Sequence, residues 1–313
     1  QDAEVAVVVV GDQAGLFGRG TVGEGNDVDS LDLPGVQREL VEALVATGTP
    51  VVMVLVTGRP YAIGWALDGD GARPAAVLQA FFPGEAGGEA IADVLTGAIA
   101  PSGRMPVSLP RSSGAQPYSY LHPILGGPSD VTSTDPTPLR PFGFGLSYTT
   151  FAYDDLQVSG RARTDGRFTA SVLVRNTGDV SATEVVQLYG RDPVASVTRP
   201  VAQLLGYARV HLGPGESRRV RFGVPAARFA FSDRRLVRVV EPGEVRVWAA
   251  SHAEAQAPVS DLSGATAGAI SNERPRTKRT LPGAATAPAT VLLTGAVHEV
   301  TGEDARLVEV SVE

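Results

Sequence analysis

The sequence predicts two parts: an α/β domain built on a parallel sheet, followed by an all-β antiparallel sandwich. Over residues 1–100, continuous apolar runs alternate with segments of helical periodicity, as in a parallel sheet covered by helices. From about residue 156 the hydrophobic period changes to two and turn signals separate the runs, which is typical of a sandwich. A length of 313 residues is enough for two such domains.

Three apolar runs predict the strands of the parallel sheet. They are residues 3–10, residues 50–57 ("PVVMVLVT") and residues 75–82 ("AAVLQAFF"). Runs as continuous as these are expected of strands that are buried on both faces of a sheet.

Helical patterns follow the first and third runs. The first helix is predicted to start near Pro34 and end near Gly48, with an apolar stripe of Val36, Leu40, Val41, Leu44 and Val45. The second lies before Pro101, with a stripe of Ile91, Val94, Leu95 and Ala98. The connection after the second run, residues 58–71, is shorter and only weakly helical.

Composition changes set the predicted domain boundaries. The α/β domain covers residues 1–110, and a connecting arm rich in Pro, Gly, Ser and aromatic residues covers 111–155. The sandwich covers 156–313, with alternating runs such as Phe168–Val174 and with "RLVEVSVE" at its end as a late strand. An Ala-, Ser-, Gly- and Pro-rich stretch around 252–288 is predicted to be a mobile insertion.

Composition also excludes several kinds of function. A net charge of −7 argues against a nucleic-acid groove or an anionic membrane surface, and no apolar stretch approaches the roughly 18 residues of a membrane span. The absence of cysteine excludes thiolate catalysis and Cys-zinc sites, and the four scattered histidines do not have metal-ligand spacing. We expect no cofactor and no metal. The compartment stays open, with a bacterial cytoplasmic location preferred over secretion.

The loop "GRGTVGEGNDVDSLDLPG", residues 18–35, contains a literal G-x-G-x-x-G match at Gly18, Gly20 and Gly23. A dinucleotide site needs these glycines at the turn between strand and helix, and an acidic residue at the end of the second strand. Here the predicted helix begins some ten residues after the last glycine, and the second strand ends in Val56, Thr57 and Gly58. The match therefore does not predict a nucleotide site.

Glu24 lies in the same loop between two glycines. In open α/β sheets, ligands bind at the carboxyl ends of the strands, where this loop is expected to lie. The residues alone leave two interpretations open: a carboxyl group held out for chemistry, or a solvated loop glutamate.

A family resemblance favours the first interpretation. "GEGNDVDSLDLPGVQRELV" resembles the acid/base loop of family 3 glycoside hydrolases, the β-glucosidase and β-xylosidase family. Four further stretches agree with that family in order: "TGRPYAI", "AFFPGEAGGEAIADVLTGAIAPSGRMPVSLP", "PLRPFGFGLSYTTFAY" and "VRNTGDVSATEVVQLYGRDPVASVTRPVAQLLGYARVHLGPGES". The last of them is similar to the family's fibronectin type III-like module. Residues 3–250 are covered well by the resemblance.

The resemblance implies that Glu24 is the general acid and base of a retaining β-glycosidase acting on terminal glucosyl or xylosyl residues. It implies also that the nucleophilic aspartate lies on an N-terminal (β/α)8 barrel, which these 313 residues lack. The chain is therefore expected to be the C-terminal part of the enzyme, inactive alone and partnered by a barrel on a separate or nicked chain. Phe17, Arg19 and Trp65 are candidates to line the sugar site.

Some features of the sequence remain open. Many relatives place Arg after the Asp of the loop, whereas this chain has Val28, and Arg19 is one candidate to supply the missing charge. Glu85 also follows a strand, but its place at a helix start favours the ionised carboxylate and so argues against a general acid. Tyr148 and Phe144 are expected to anchor the connector. The alternative function is a non-catalytic carbohydrate-binding or scaffold piece, which a surface row of aromatic residues on the sandwich would support.

Overall fold

The chain divides into two compact units. In the computed structural model the described residues are 3–115, 119–126, 135–255, 281–304 and 306–313. The first unit comprises Gln1–Ile99, Met105–Ser119 and Leu125–Pro141, and the second comprises Ala100–Arg104, Tyr120–Ile124 and Phe142–Glu313. Segments of the predicted arm thus belong to both units. Most of the predicted insertion, residues 256–280, lies outside the described residues.

A three-stranded parallel sheet forms the centre of the first unit. Its strands are β1 (Ala6–Gly11), β2 (Val51–Val56) and β3 (Ala76–Gln79), and they lie side by side in that order. Val8 is paired with Met53, and Val54 with Leu78. The parallel sheet predicted from the three apolar runs is confirmed.

Only one face of β1 is buried. Val8 and Val10 are 6% and 5% exposed and pack with Met53 in the core of this unit, whereas Val7 and Val9 are 54% and 62% exposed. The prediction that the strands are buried on both faces is therefore wrong for β1. Helix α1 packs against β1 and β2, and the opposite face of β1 stays open to solvent in this chain.

The described residues of the first unit form three α-helices: α1 (Gln37–Val45), α2 (Gly64–Leu67) and α3 (Gly87–Thr96). The predicted stripe of α1 is too wide: Val41 is fully buried, but Val36 and Leu40 are 74% and 48% exposed. Val36 lies at the N-cap with non-helical dihedral angles, so it does not share the core-facing side. The stripe of α3 is also only partly covered, since Leu95 is exposed and Ala98 lies beyond the helix.

Gln37, the first residue of α1, binds the end of β1. Its side-chain oxygen accepts a hydrogen bond of 2.6 Å from the Gly11 N–H, and its Nε2 donates one of 2.8 Å to the Gly11 carbonyl oxygen. Because one side chain satisfies both polar groups of the Gly11 peptide position, the start of α1 is fixed to the carboxyl end of β1.

The second unit is a β-sandwich. Its strands are β4 (Phe151–Val158), β5 (Arg161–Arg163), β6 (Arg167–Asn176), β7 (Ala182–Arg191), β8 (Gln203–Leu212), β9 (Ser217–Pro225), β10 (Phe231–Ser232), β11 (Arg238–Val240), β12 (Gly243–Ala250), β13 (Ala289–Thr294), β14 (His298–Glu299) and β15 (Glu309–Val312). They form a sheet of order β5-β13-β12-β7-β8, a sheet of order β15-β9-β6-β4 and a small sheet of order β10-β11-β14. All neighbouring pairs are antiparallel except β5 with β13.

The sandwich core confirms the predicted period of two. Along β6, the side chains of Phe168, Ala170, Val172 and Val174 are at most 1% exposed. The late strand predicted in "RLVEVSVE" is β15, which pairs with β9. The predicted boundary at residue 156 falls inside β4, so the sandwich begins within the predicted arm.

Short single turns of 3-10 helix occur at Ser113–Ala115, Ile124–Gly126 and Ala226–Phe229. Part of the connector packs within the second unit: the Tyr120 and Phe142 rings stack at 4.1 Å, and buried Phe144 lies 5.6 Å from the His252 ring. Tyr148, by contrast, is 48% exposed. None of the helices in the described residues is long and apolar enough to cross a membrane.

Candidate active site at the carboxyl ends of the parallel strands

The loop that carries Glu24 runs from the end of β1 to the start of α1, over residues 12–36. It touches the segments that follow the other two strands: a methyl group on Gly58 would lie 2.8 Å from side-chain carbons of both Val22 and Phe82. Gly58 follows β2 and Phe82 follows β3. The carboxyl ends of all three strands therefore meet beneath this loop, which is the usual position of a ligand site in an open α/β sheet.

The two glycines beside Glu24 have backbone angles that other residues rarely adopt. The φ angles of Gly23 and Gly25 are +119° and +73°. A methyl group on Gly23 would also overlap the carbonyl oxygen of Gly15, whereas one on Gly25 would come no closer than 3.5 Å to Phe17. Glycine is required at both positions for conformation, and at Gly23 for space as well.

The backbone of Glu24 is held in place while its side chain is free. Its carbonyl oxygen accepts hydrogen bonds from the Phe17 N–H at 3.0 Å and from Asn26 Nδ2 at 3.2 Å. Asn26 also accepts a bond of 3.0 Å from the Gly20 N–H. Glu24 is exposed, and no hydrogen bond or ion pair joins its carboxylate to another described residue. The loop presents an unengaged carboxylate on a fixed backbone.

Asp12 lies at the base of the loop and accepts three hydrogen bonds. The Thr21 hydroxyl donates to its Oδ1 at 2.7 Å, the Gly58 N–H donates to its Oδ2 at 2.7 Å, and the Tyr61 hydroxyl donates to Oδ1. Burial, followed by the hydrogen bond to Asp12, raises the pKa of Tyr61 to about 12. Tyr61 is therefore a protonated donor to Asp12 at neutral pH.

Arg59 is the positive charge beside the acidic part of the loop. Its Nη1 lies 2.9 Å from the Asp27 carboxylate, and its Nη2 donates a hydrogen bond of 2.8 Å to the Thr21 carbonyl oxygen. The Val28 N–H and Arg59 lower the pKa of Asp27. Arg19, the candidate for this charge in the sequence, is exposed and forms no ion pair with a described residue.

The other predicted site residues lie in different surroundings. Phe17 is 75% exposed and is linked to Glu24 through the backbone hydrogen bond described above. Trp65 lies on α2, partly buried against the core of the first unit, with the Arg38 guanidinium 5.3 Å from its ring centre. Glu85 is exposed and lies two residues before α3.

Sequence reasoning missed Thr21, Asn26, Arg59 and Tyr61 as parts of this site. A signal for Arg59 and Tyr61 was available, because "GRPY" begins two residues after the end of β2 and the carboxyl ends of parallel strands share one edge. The roles of Thr21 and Asn26 depend on how the loop folds back on itself, which residue spacing does not encode.

The G-x-G-x-x-G match lacks the geometry of a dinucleotide site. Gly18, Gly20 and Gly23 lie within the loop, and α1 does not begin until Gln37. These glycines therefore do not lead directly into a helix N-terminus, which phosphate binding would require. Among the described residues, no group of three or more His, Asp or Glu side chains is arranged to hold a metal ion.

Comparisons with known proteins identify both units. Residues 1–148 match the glycosyl hydrolase family 3 C-terminal domain, and residues 184–253 match the fibronectin type III-like domain. The chain is 40% identical to a β-xylosidase of Formosa agariphila over 81% of its own length and 35% of that protein. It is 39% identical to the periplasmic β-glucosidase of Salmonella typhimurium, over 79% of its own length and 33% of that protein.

Solved structures agree with these sequence relatives. A β-glucosidase from Listeria innocua in complex with glucose superimposes with a TM-score of 0.77 at 26% identity, over 94% of this chain and 37% of that one. A β-glucosidase from Erythrobacter marinus gives a TM-score of 0.75 at 34% identity, over 94% of this chain and 35% of that one. The chain spans about a third of the length of each of these relatives.

Proposed function

This chain belongs to glycosyl hydrolase family 3, and we propose that it is the C-terminal part of a retaining, exo-acting β-glycosidase in which Glu24 is the general acid and base. The observation that supports this role is the exposed carboxylate of Glu24, which has no partner among the described residues and sits on a fixed backbone at the carboxyl ends of the parallel strands. Relatives that are named as β-glucosidases and as a β-xylosidase leave glucosyl and xylosyl substrates equally open.

Retaining hydrolysis uses two carboxyl groups about 5–5.5 Å apart on opposite sides of the scissile bond. In the first step Glu24 donates a proton to the departing glycosidic oxygen. In the second step it accepts a proton from the water that hydrolyses the glycosyl-enzyme. A general acid must be protonated near neutral pH, and this requires surroundings that disfavour its charge. Glu24 is exposed in this chain, so a second surface has to close over it.

The nucleophile is proposed to come from a (β/α)8 barrel portion outside these residues. Asp12 is engaged with three donors and Asp27 with Arg59. Both lie on the same loop as Glu24, whereas a nucleophile attacks the sugar from the side opposite the departing group. The open apolar face of β1 is consistent with additional protein packing against this unit.

The second candidate function, a carbohydrate-binding scaffold, has less support. In the second unit, the described aromatic side chains that are more than a third exposed are Tyr148 and Tyr207. Two separate tyrosines do not form the aromatic row that binding to a polysaccharide surface would favour.

The role of Glu24 is tested in an active preparation that contains this chain and the barrel portion. Glu24→Ala is expected to lower kcat/KM for alkyl glycosides by about 10²–10⁴-fold, because their leaving groups need a proton. It should spare kcat/KM for dinitrophenyl glycosides, and added azide should yield a β-glycosyl azide. Glu85→Ala is the matched control, and it should not lower kcat/KM for the alkyl glycoside selectively. Equal losses on both substrates for Glu24→Ala would overturn the assignment.

A further inference from the structure

We propose that Asp12 is a positioning residue for the acid/base step, acting through Thr21 to hold the Glu24 loop on the ends of β1 and β2. This inference rests on the proposed function, since it assumes that Glu24 transfers the proton. Asp12 itself does not reach the substrate in this proposal.

The geometry links three segments through one carboxylate. Asp12 follows the last residue of β1, and its backbone N–H donates a hydrogen bond of 3.1 Å to the Val56 carbonyl oxygen of β2. Its Oδ2 accepts the Gly58 N–H, and its Oδ1 accepts the Thr21 hydroxyl. Asp12 is thus bound to the sheet on one side and to the loop on the other.

Thr21 is the point where the loop is fastened. Besides its bond to Asp12, its hydroxyl accepts a hydrogen bond of 2.9 Å from the Gln13 N–H, and its own N–H donates one of 2.8 Å to the Gln13 carbonyl oxygen. Its carbonyl oxygen accepts the bond from Arg59. Every polar group of Thr21 is therefore engaged with the strand ends.

Only two residues, Val22 and Gly23, separate Thr21 from Glu24, and the chain on either side of them is held as well. Gly15 donates a hydrogen bond of 3.2 Å to the Val22 carbonyl oxygen, and Phe17 donates to that of Glu24. A displacement at Thr21 is therefore transmitted to the position of the Glu24 carboxylate. Misplacement of a catalytic group by about 1 Å can cost roughly 10²-fold in rate.

The test uses Thr21→Val and Thr21→Ser, because Asp12→Ala removes the acceptor of three donors and is the variant most prone to misfolding. Valine matches the shape of threonine but cannot donate to Asp12, whereas serine keeps the hydroxyl. In the active preparation, Thr21→Val should lower kcat/KM for an alkyl glycoside by about 10–10²-fold and leave that for a dinitrophenyl glycoside nearly unchanged. Thr21→Ser, which can still donate to Asp12, should keep kcat/KM for the alkyl glycoside close to that of the parent chain. Thr47→Val, which removes the hydroxyl bond to Leu44 at the end of α1, is the control without effect.

The outcomes separate this inference from the proposed function. If Thr21→Val lowers both substrates equally while Glu24→Ala is selective, Asp12 and Thr21 have only a structural role and this inference is wrong. The same conclusion follows if Thr21→Val has no effect, or if Thr21→Ser lowers kcat/KM for the alkyl glycoside as much as Thr21→Val does. If Glu24→Ala is itself unselective, the proposed function fails and the positioning role fails with it.

Discussion

Arg104 and Glu184 form a buried ion pair in the second unit, with 2.6 Å between Arg104 Nη2 and Glu184 Oε2. Their side chains are 8% and 2% exposed. The Tyr153 hydroxyl donates a hydrogen bond of 2.7 Å to the other carboxylate oxygen of Glu184. Burial raises the pKa of Glu184, and the charge of Arg104 opposes that rise. The pair fixes residues 100–104 to the sandwich.

Removing one partner of this pair is predicted to lower the free energy of unfolding more than removing both partners together. Arg104→Met should lower the free energy of unfolding of the second unit by about 3–5 kcal/mol, because it leaves Glu184 buried without a counter-charge. The double variant Arg104→Met/Glu184→Gln should recover a large part of that loss. Urea unfolding followed by the indole NMR signal of Trp248, which is fully buried in this unit, measures both changes.

The matched control is the exposed pair of Arg163 and Asp165, whose side chains are 72% and 41% exposed. Arg163→Met should change the free energy of unfolding far less than Arg104→Met in the same assay, because solvent screens an exposed pair. If the double variant is no more stable than Arg104→Met alone, the uncompensated charge is not the source of the loss.

The glycines beside Glu24 are predicted to differ in their tolerance of a methyl group. Gly25→Ala should cost about 1–2 kcal/mol, the price of a left-handed conformation at a non-glycine residue. Gly23→Ala should cost more, because its methyl group also meets the Gly15 carbonyl oxygen. Urea unfolding followed by the indole NMR signal of Trp65, in the first unit, provides the comparison. Equal costs would contradict the overlap at Gly23.

The sequence was sufficient for the elements and the loop but not for the contacts that hold the loop. The strands could be predicted because burial of one or both faces of a strand produces a repeating pattern of apolar residues in the sequence. The role of Arg59 left no such signal: it lies 32 positions from Asp27, and the two meet only because β1 and β2 end at the same edge.

The exposed face of β1 was also not predictable from the sequence, and the reason is related. An apolar run indicates that both faces of a strand are buried, but it does not indicate which residues bury them. Val7 and Val9 have the composition of a strand covered on both faces, yet in this chain they are more than half exposed.

Stability of the second unit is predicted to fall in mild acid because of His252. This side chain is 2% exposed, and burial, together with the nearby charge of Arg104, lowers its pKa from 6.5 to about 4. The folded state therefore holds it neutral while the unfolded state takes up a proton. The resulting loss begins as the pH falls below about 6.5 and is complete near pH 4, amounting to about 3 kcal/mol.

The variant His252→Leu should remove this part of the pH dependence when unfolding is followed at the Trp248 indole. His211→Leu, at an exposed position of β8, should retain it. Curves for His252→Leu that fall with pH as steeply as those of the parent chain would assign the acid sensitivity to other groups.

Besides its open apolar face, β1 has an outer edge that pairs with no other strand among the described residues. The N–H groups of Ala6 and Asp12 point toward β2, where they meet the carbonyl oxygens of Pro50 and Val56. Val7 and Val9, at alternate positions, direct their backbone groups to the opposite edge. At Gly11 that edge is already occupied by the side chain of Gln37.

Val7→Lys/Val9→Lys is accordingly predicted to abolish association with the proposed barrel portion while leaving this chain folded. Both side chains are more than half exposed, so the substitutions should change the stability of the first unit by less than about 0.5 kcal/mol. At an interface, however, each lysine would have to be desolvated without a partner, which costs several kcal/mol. Size-exclusion chromatography with mass analysis, with the barrel portion supplied as a separate chain, measures the association. Val194→Lys, at a position 82% exposed in the second unit, is the matched control and should still associate. Undiminished association of the β1 variant would show that the proposed barrel portion does not bind at this face.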